Sequence, residues 1–212
     1  AAGAMDETEA LAMLGAFGVP VVRSDVCETG EAAVEAACEI GFPVVLKTAM
    51  PGIAHKSDVG GVMVRLADET ALDEAYAVMS AALGPRVAVA AMVPKGVEIA
   101  LGMVRDPQYG PMVMVGAGGV LVELLDDRAF ALAPFGIDDA YRLLDRLKIK
   151  RLLEGMRGAP PADLESLALA ISRFSVMAAA LADGIAEMDI NPMIAGPDGA
   201  IAVDALVVAQ DN

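Results

Sequence analysis

Hydrophobic and polar positions follow short periodic runs that predict helices and strands in turn. Leu11, Leu14 and Phe17 lie at helical spacing, and Gly18 with Pro20 favours an end to that helix. On this basis helices are predicted at residues 6–17, 30–40, 70–83, 137–148 and 161–182. Extended segments are predicted at 19–22, 42–47, 62–66, 87–93, 97–105, 111–115, 120–125, 185–190 and 200–208. This order of elements predicts an α/β (α+β) fold.

The tripeptide PKG at residues 94–96 interrupts the pattern between two predicted strands. We therefore predict two lobes, residues 6–93 and 94–210, with a boundary at this tripeptide. Creases of this kind often hold ligands, so the boundary is a candidate binding cleft. Within the second lobe, residues 197–199 (PDG) predict a hairpin turn that joins the last two strands.

Composition and charge exclude several classes of function. The formal net charge of -15 repels nucleic acid and anionic membrane surfaces, and 4% aromatic residues with no Trp offer few platforms for stacked bases. No apolar run approaches the ~20 residues that span a bilayer, so a cytoplasmic protein is expected. Cys27 and Cys38 have no companion at metal-ligand spacing and are interpreted as reduced thiols. Residues 1–5 are left out of the fold prediction.

His55 is the only histidine in the chain, and it lies in a predicted loop, residues 49–61, that contains several glycines. A neutral imidazole has a free lone pair near pH 7 and can accept a phosphoryl group covalently. Lys47 and Lys56 are placed to neutralise the transferring group, and Gly60 with Gly61 allows backbone amides to approach phosphate oxygens. An incidental loop histidine beside solvated lysines is an equally good interpretation of these residues alone.

Oxygen-bearing side chains gather near the C-terminus. Glu187, Asp189 and Asn191 lie on one face of a predicted strand, and Asp204 lies in the next strand of the hairpin. Such a set suits Mg²⁺ bound to nucleotide phosphates, although a solvated acidic face is an equal alternative. A glycine turn at 116–119 is, in isolation, more often a structural connection.

Five segments, read in order, resemble one family. They are GFPVVLK at 41–47, HKSDVGGV at 55–62, VEIALGMVRDPQYGP at 97–111, GAGGVLVELL at 116–125 and EMDINPM at 187–193. Together they resemble the ATP-grasp domain of NDP-forming acyl-CoA synthetases, which include the ADP-forming acetyl-CoA synthetases and, more distantly, succinyl-CoA synthetase. The resemblance extends over residues 6–208, and five ordered motifs are far more specific than any one of them.

The resemblance implies a two-lobed ATP-grasp fold that holds ATP or ADP and Mg²⁺ between the lobes. It implies a ligase reaction in which acyl-CoA, ADP and phosphate exchange with carboxylate, CoA and ATP. In such enzymes a phosphohistidine carries the phosphoryl group, and His55 matches it. Lys47 corresponds to the lysine on the nucleotide phosphates, Glu98 to the acid near the ribose, and Asn191 and Asp204 to the Mg²⁺ ligands. Further nucleotide contacts are expected at Lys56, Gly60, Gly61, Val93, Gly118 and Gly119.

The sequence contains neither a CoA-binding glycine pattern nor a second histidine. We therefore expect a CoA-binding and ligase partner, either an α subunit or fused N-terminal domains, in a hetero- or homo-oligomeric enzyme. Leu206 stands where many relatives have a basic residue. No residue pattern identifies the acyl group or distinguishes ADP from GDP.

Two alternatives to a phosphohistidine enzyme are open at this point. One is a regulatory, non-catalytic ATP-grasp module of a protein acetyltransferase. The other is a ligase that passes through a free acyl-phosphate, which would need no histidine. The presence of His55, Lys47, Asn191 and Asp204 favours catalysis, because a scaffold has no chemical need for a lone loop histidine.

Overall fold

The computed structural model describes residues 4–53, 56–119, 126–156 and 158–210. Residue contacts divide the chain into two compact units, Val22–Val93 and a second unit that joins Ala2–Val21 to Pro94–Asn212. The helices are α1 Glu7–Ala16, α2 Gly30–Ile40, α3 Glu69–Leu83, α4 Ile137–Arg146, α5 Lys150–Leu153 and α6 Leu164–Leu181. The strands are β1 Ser24–Cys27, β2 Val44–Thr48, β3 Val62–Leu66, β4 Val87–Ala91, β5 Val97–Asp106, β6 Gly110–Ala117, β7 Arg128–Leu132, β8 Ile185–Gly196, β9 Gly199–Ala202 and β10 Ala205–Ala209. A short 3-10 helix spans Ser57–Val59.

The first unit is an antiparallel sheet in the order β1-β4-β2-β3, with α2 and α3 packed against it. Val44 and Leu46 join Leu72 and Met79 in its buried core. Because side chains alternate across a strand, Lys47 faces away from this core. The strand pattern thus directs a lysine to the face of the sheet that the two helices leave uncovered.

The second unit is an antiparallel sheet in the order β10-β8-β5-β6-β7, with β9 paired to β8. Helices α1, α4 and α6 pack with this sheet, and fully buried Phe174, Leu101 and Met103 belong to its core. Burying such side chains stabilises the unit by about 1.5–3 kcal/mol each. On the other face of the sheet, β8 carries Glu187, Asp189 and Asn191.

Helix α6 is the one described helix whose length and composition match a membrane span, which the sequence pattern did not indicate. Eight of its residues, including Ile171 and Phe174, are buried inside the second unit. The core helix of a folded domain passes the same test of length and composition. Ser175 on this helix bonds the backbone at Phe135, which ties it to the segment before α4.

Several boundaries differ from the sequence predictions. Residues 19–22, where a strand was predicted, form no strand and make one bridge, Val21 to Ala202. The nearby strand, β1, begins at Ser24. Residues 200–208 form two strands, so Asp204 lies between β9 and β10 rather than within a strand. Helix α1, assigned to the first lobe from the sequence, packs on β10 in the second unit.

Two short elements, β7 and α5, were not predicted. A four-residue helix such as α5 is too short to show a period. The strand predicted at 120–125 lies outside the described residues. Cys27 and Cys38 are free thiols, the first buried and the second exposed.

Candidate functional site

Lys47 is buried, with 8% of its surface exposed, on the face of β2 opposite the core of the first unit. It pairs with Val62 on β3 and Ala88 on β4, so it sits in the middle of the sheet. A buried ammonium group is costly unless other groups compensate its charge. The position suits a lysine that neutralises an anion.

The loop that follows β2 is closed at its base. The Thr48 amide donates to the carbonyl oxygen of Gly61 at 2.8 Å, and the Gly61 amide donates to the carbonyl oxygen of Lys56 at 2.7 Å. Gly60 has a φ of 71°, a conformation that favours glycine, and its amide donates to Ser57. Both glycine amides therefore make bonds within the loop, and their predicted contact with phosphate stays a prediction. His55 lies outside the described residues.

Val93 follows β4 at the opposite end of this sheet. Ala91 pairs with Val44 at the start of β2, whereas Lys47 pairs with Ala88 farther along. The structure therefore places Lys47 at the base of the loop and Val93 beside the start of β2. Their common role as nucleotide contacts stays a prediction.

Five predicted site residues gather in the second unit, and the glycine turn after β6 joins them. The Gly118 amide donates to the carbonyl oxygen of Glu98 at 2.8 Å, and the Gly119 amide donates to Asn191 Oδ1 at 2.9 Å. A Cβ atom on Gly119 would collide with Glu98 Oε2, and Gly119 has a φ of 59°. A Cβ on Gly118 would lie 2.8 Å from the Glu98 backbone. Glycine is therefore required at Gly118, because the backbone of strand β5 lies against the turn. At Gly119 the positive φ favours glycine, and a Cβ would displace the Glu98 carboxylate.

Asp204 is brought beside Asn191 by the pairing of the last strands. The Val203 amide donates to the carbonyl oxygen of Pro192 at 3.1 Å, and Ala205 pairs with Ile190. Asn191 Oδ1 accepts from Gly119 and has a second lone pair for another partner. The strand register thus gathers a carboxylate and an amide oxygen at one place.

Asp189 lies in a row across the sheet, between Leu206 on β10 and Gly102 on β5. The Asp189 carboxyl lies against Gly102, since a Cβ there would be in ordinary contact with Asp189 Oδ1 at 3.6 Å. Burial raises the pKa of Asp189 to about 6, and the charges of Glu187 and Asp204 add to that rise. This carboxyl therefore exchanges a proton close to neutral pH, which sequence pattern alone does not reveal.

The oxygen atoms at Asn191, Asp189 and Asp204 fit a hard divalent cation. Among the described residues, no group of three His, Cys, Asp or Glu side chains is arranged to hold a metal ion by itself. Mg²⁺ commonly binds through one or two carboxylates together with substrate phosphates. The donor set therefore fits a cation that arrives with a nucleotide.

A pocket of about 560 Å³ lies beside Glu98 in the second unit, and sequence reasoning missed it. Glu98 and Gly118 line it together with apolar Val97, Ile149 and Leu152. Mostly apolar walls, with Glu98 and Lys95 among the lining residues, suit a flat ring joined to a hydroxyl-bearing group. The walls come from residues distant in sequence, including the unpredicted α5, which is why no local pattern indicated the pocket.

A model of the ATP-grasp domain family matches residues 1–209. The chain belongs to the ATP-grasp family. It is 40% identical over 210 residues to the beta subunit of ADP-forming acetate–CoA ligase I from Pyrococcus furiosus, and the match covers 95% of this chain and 90% of that one. This similarity places the chain with the beta subunits of ADP-forming acetyl-CoA synthetases.

Other ATP-grasp relatives differ in length and in what they contain. The match to ADP-forming acetate–CoA ligase I from Archaeoglobus fulgidus has 36% identity and covers 96% of this chain but 31% of that one. A solved structure of acetyl-coenzyme A synthetase 1 from Ca. Korarchaeum cryptofilum has 40% identity and a TM-score of 0.89, with 98% and 93% of the two chains covered. That structure contains coenzyme A and Mg-AMPPCP, with its phosphohistidine segment pointing towards the nucleotide-binding site.

These comparisons confirm the family and the α/β ATP-grasp fold that five sequence motifs predicted. The structure brings Glu98, Gly118, Gly119, Asn191 and Asp204 together within one unit. It places Lys47, Lys56, Gly60 and Gly61 around one loop of the other unit. The individual roles of these residues stay predictions.

Proposed function

We propose that this chain is the nucleotide-binding and phosphoryl-transfer part of an ADP-forming acyl-CoA synthetase. The overall reaction converts acyl-CoA, ADP and phosphate into carboxylate, CoA and ATP. The observation that carries the proposal is the turn at Gly118 and Gly119, which bonds Glu98 and Asn191 at once. A single backbone turn thus fixes a candidate ribose acceptor and a candidate metal ligand at a set separation.

Nucleotide binding follows from the second unit's own groups. The Glu98 carboxylate accepts hydrogen bonds from ribose hydroxyls, while the adjacent apolar pocket holds the base. Asn191 and Asp204 hold Mg²⁺ through oxygen atoms, and the bound cation offsets phosphate charge. The first unit contributes Lys47 as a further positive charge toward the phosphates, with Lys56, Gly60, Gly61 and Val93 as additional contacts.

Phosphoryl transfer is assigned to His55. A ring nitrogen of the imidazole attacks the γ-phosphorus of ATP, a nitrogen–phosphorus bond forms, and the bond to the ADP oxygen breaks with its electrons on ADP. ATP synthesis is the reverse of this step. The phosphohistidine segment of the similar Ca. Korarchaeum cryptofilum structure supports the assignment.

The acyl and CoA chemistry is assigned to a partner. Pyrococcus furiosus has a similar protein that is a beta subunit, and in Archaeoglobus fulgidus the matched region is about a third of a longer ligase. We propose that a CoA-binding subunit or domain works with this chain in the cytoplasm. Phosphohistidine then carries the phosphoryl group between the two sites.

Calorimetric titration with ATP tests nucleotide binding and the metal ligands together. The parent chain is expected to bind ATP with Mg²⁺ and to bind far more weakly with excess chelator. Asp204→Asn removes one metal-ligand charge and should abolish most of the Mg²⁺ effect. Asp198→Asn, at an exposed carboxylate in the β8–β9 turn, is the matched control and should bind like the parent. Equal affinity with Mg²⁺ and with chelator contradicts the proposed metal site.

A further inference from the structure

Asp127 is a buried carboxylate that no sequence motif singled out. It is 6% exposed and lies just before β7. Its Oδ1 accepts from the Lys148 amide and its Oδ2 from the Ile149 amide, both at 2.8 Å. A carboxylate is rarely buried unless such charge-assisted bonds offset its lost hydration. Both oxygens are thus committed to fixing the backbone before α5.

The backbone of Asp127 holds the glycine turn. Its carbonyl oxygen accepts from the Ala117 amide at 3.2 Å, and it would lie 2.8 Å from a Cβ on Gly116. The residue after Ala117 is Gly118, whose amide donates to the carbonyl oxygen of Glu98. One residue therefore touches the turn through its backbone and the α5 segment through its side chain.

Both of these contacts end at the pocket. Ile149, Gly118 and Glu98 each form part of its wall. The separation of these walls depends on Asp127, because it is bonded to Ile149 and to the residue before Gly118. A displacement at either contact changes the width of the pocket beside Glu98.

We infer that Asp127 is a positioning residue for the nucleotide, which sets the distance between the Ile149 wall and the Glu98 edge of the pocket. The inference rests on the proposed function, since it takes the pocket as the place of the base and ribose. Asp127 touches no substrate and acts only through the residues it holds.

Asp127→Asn tests this role. The amide keeps the shape of the side chain but turns one acceptor into a donor that faces an N–H group, so one of the two bonds is lost. Asp106→Asn is a control that removes a carboxylate charge without losing a bond, because Asp106 Oδ1 accepts from both the Gln108 and Tyr109 amides, at 2.8 and 2.9 Å, at the far end of β5, and the Asn oxygen can accept both. We expect Asp127→Asn to melt at lower temperature and Asp106→Asn to melt close to the parent.

The readout is the affinity of the folded protein for Mg-ATP, measured by calorimetric titration. Asp127→Asn should raise the Kd about tenfold, because the walls of the pocket then lose their fixed separation, while Asp106→Asn should stay within about twofold of the parent. Equal loss of affinity in both variants, or no loss in Asp127→Asn, overturns the inference. A parent that does not bind Mg-ATP instead refutes the proposed function.

Asp127→Glu keeps the test decisive if the Asn variant does not fold. The glutamate retains the charge and both acceptor oxygens but is longer by one methylene, so it displaces Ile149 without leaving the amides unpaired. A raised Kd for Mg-ATP in this variant supports the positioning role. An unchanged Kd contradicts it.

Discussion

Replacing Asp189 by Asn should stabilise the protein at neutral pH. The pKa of Asp189 is raised from an ordinary value of 3.8 to about 6 by burial and by Glu187 and Asp204. In the folded state the proton is therefore held more tightly than in the unfolded chain. Stability from this group is complete at low pH and is lost as pH rises from about 4 through 6.

The size of the effect follows from that shift. A rise of about two pKa units corresponds to about 3 kcal/mol of unfolding free energy at pH 7, at roughly 1.4 kcal/mol per unit. The amide of Asn still has to be partly buried, so we expect the variant to gain about 1–2 kcal/mol. Near pH 4 the gain should vanish, because the carboxyl is then protonated in the folded protein.

Urea denaturation of parent and Asp189→Asn between pH 4 and 7.5 measures this difference directly. Asp198→Asn removes an exposed charge from the β8–β9 turn and is the control, with an expected gain near zero at every pH. Mg-ATP should shrink the gain, since the cation compensates the carboxylate. A variant that is less stable than the parent at pH 7, or a difference that does not depend on pH, would refute this reasoning.

Three further substitutions separate the parts of the site. Gly119→Ala should raise the Kd for Mg-ATP about tenfold or more, because the added Cβ displaces the Glu98 carboxylate. Gly110 also has a positive φ but has open space around it, so Gly110→Ala is the control and should only lower stability, by about 1 kcal/mol. In titrations, Glu98→Gln should weaken adenosine and ATP alike, since it acts at the ribose. Lys47→Met should weaken ATP much more than adenosine, and equal losses would contradict its place at the phosphates.

Sequence periodicity predicted the elements that have clear local causes. Helix α2 matches its predicted range because Thr29 caps its start and Gly41 ends it. Strand β3 matches because it is a short apolar run between loop signals. Helix α5 and strand β7 were missed because they are stabilised by tertiary contacts and show no clear period of their own.

The residues of the candidate site also divide into those that the sequence indicated and those that it did not. The order of the five motifs pointed to Glu98, Asn191 and the glycine turn. In the turn itself, close approach of the backbone demands glycine at fixed places. The pKa of Asp189 and the role of Asp127 depend on burial and on partners distant in sequence, so the one-dimensional pattern contains no sign of them. Asp204 was predicted to lie within a strand. Its place beside Asn191 follows from the register of β8 and β10, which a local sequence pattern does not show.

The most direct test of phosphoryl carriage is incubation of the chain with ATP labelled at the γ-phosphate, followed by acid and base treatment. The account predicts one labelled phosphoryl group that is lost in acid and retained in base, as a phosphohistidine should be. The label should be absent from His55→Asn, which leaves no imidazole in the chain, while that variant still binds Mg-ATP. A parent that binds Mg-ATP without labelling, or a His55→Asn variant labelled like the parent, would contradict the account.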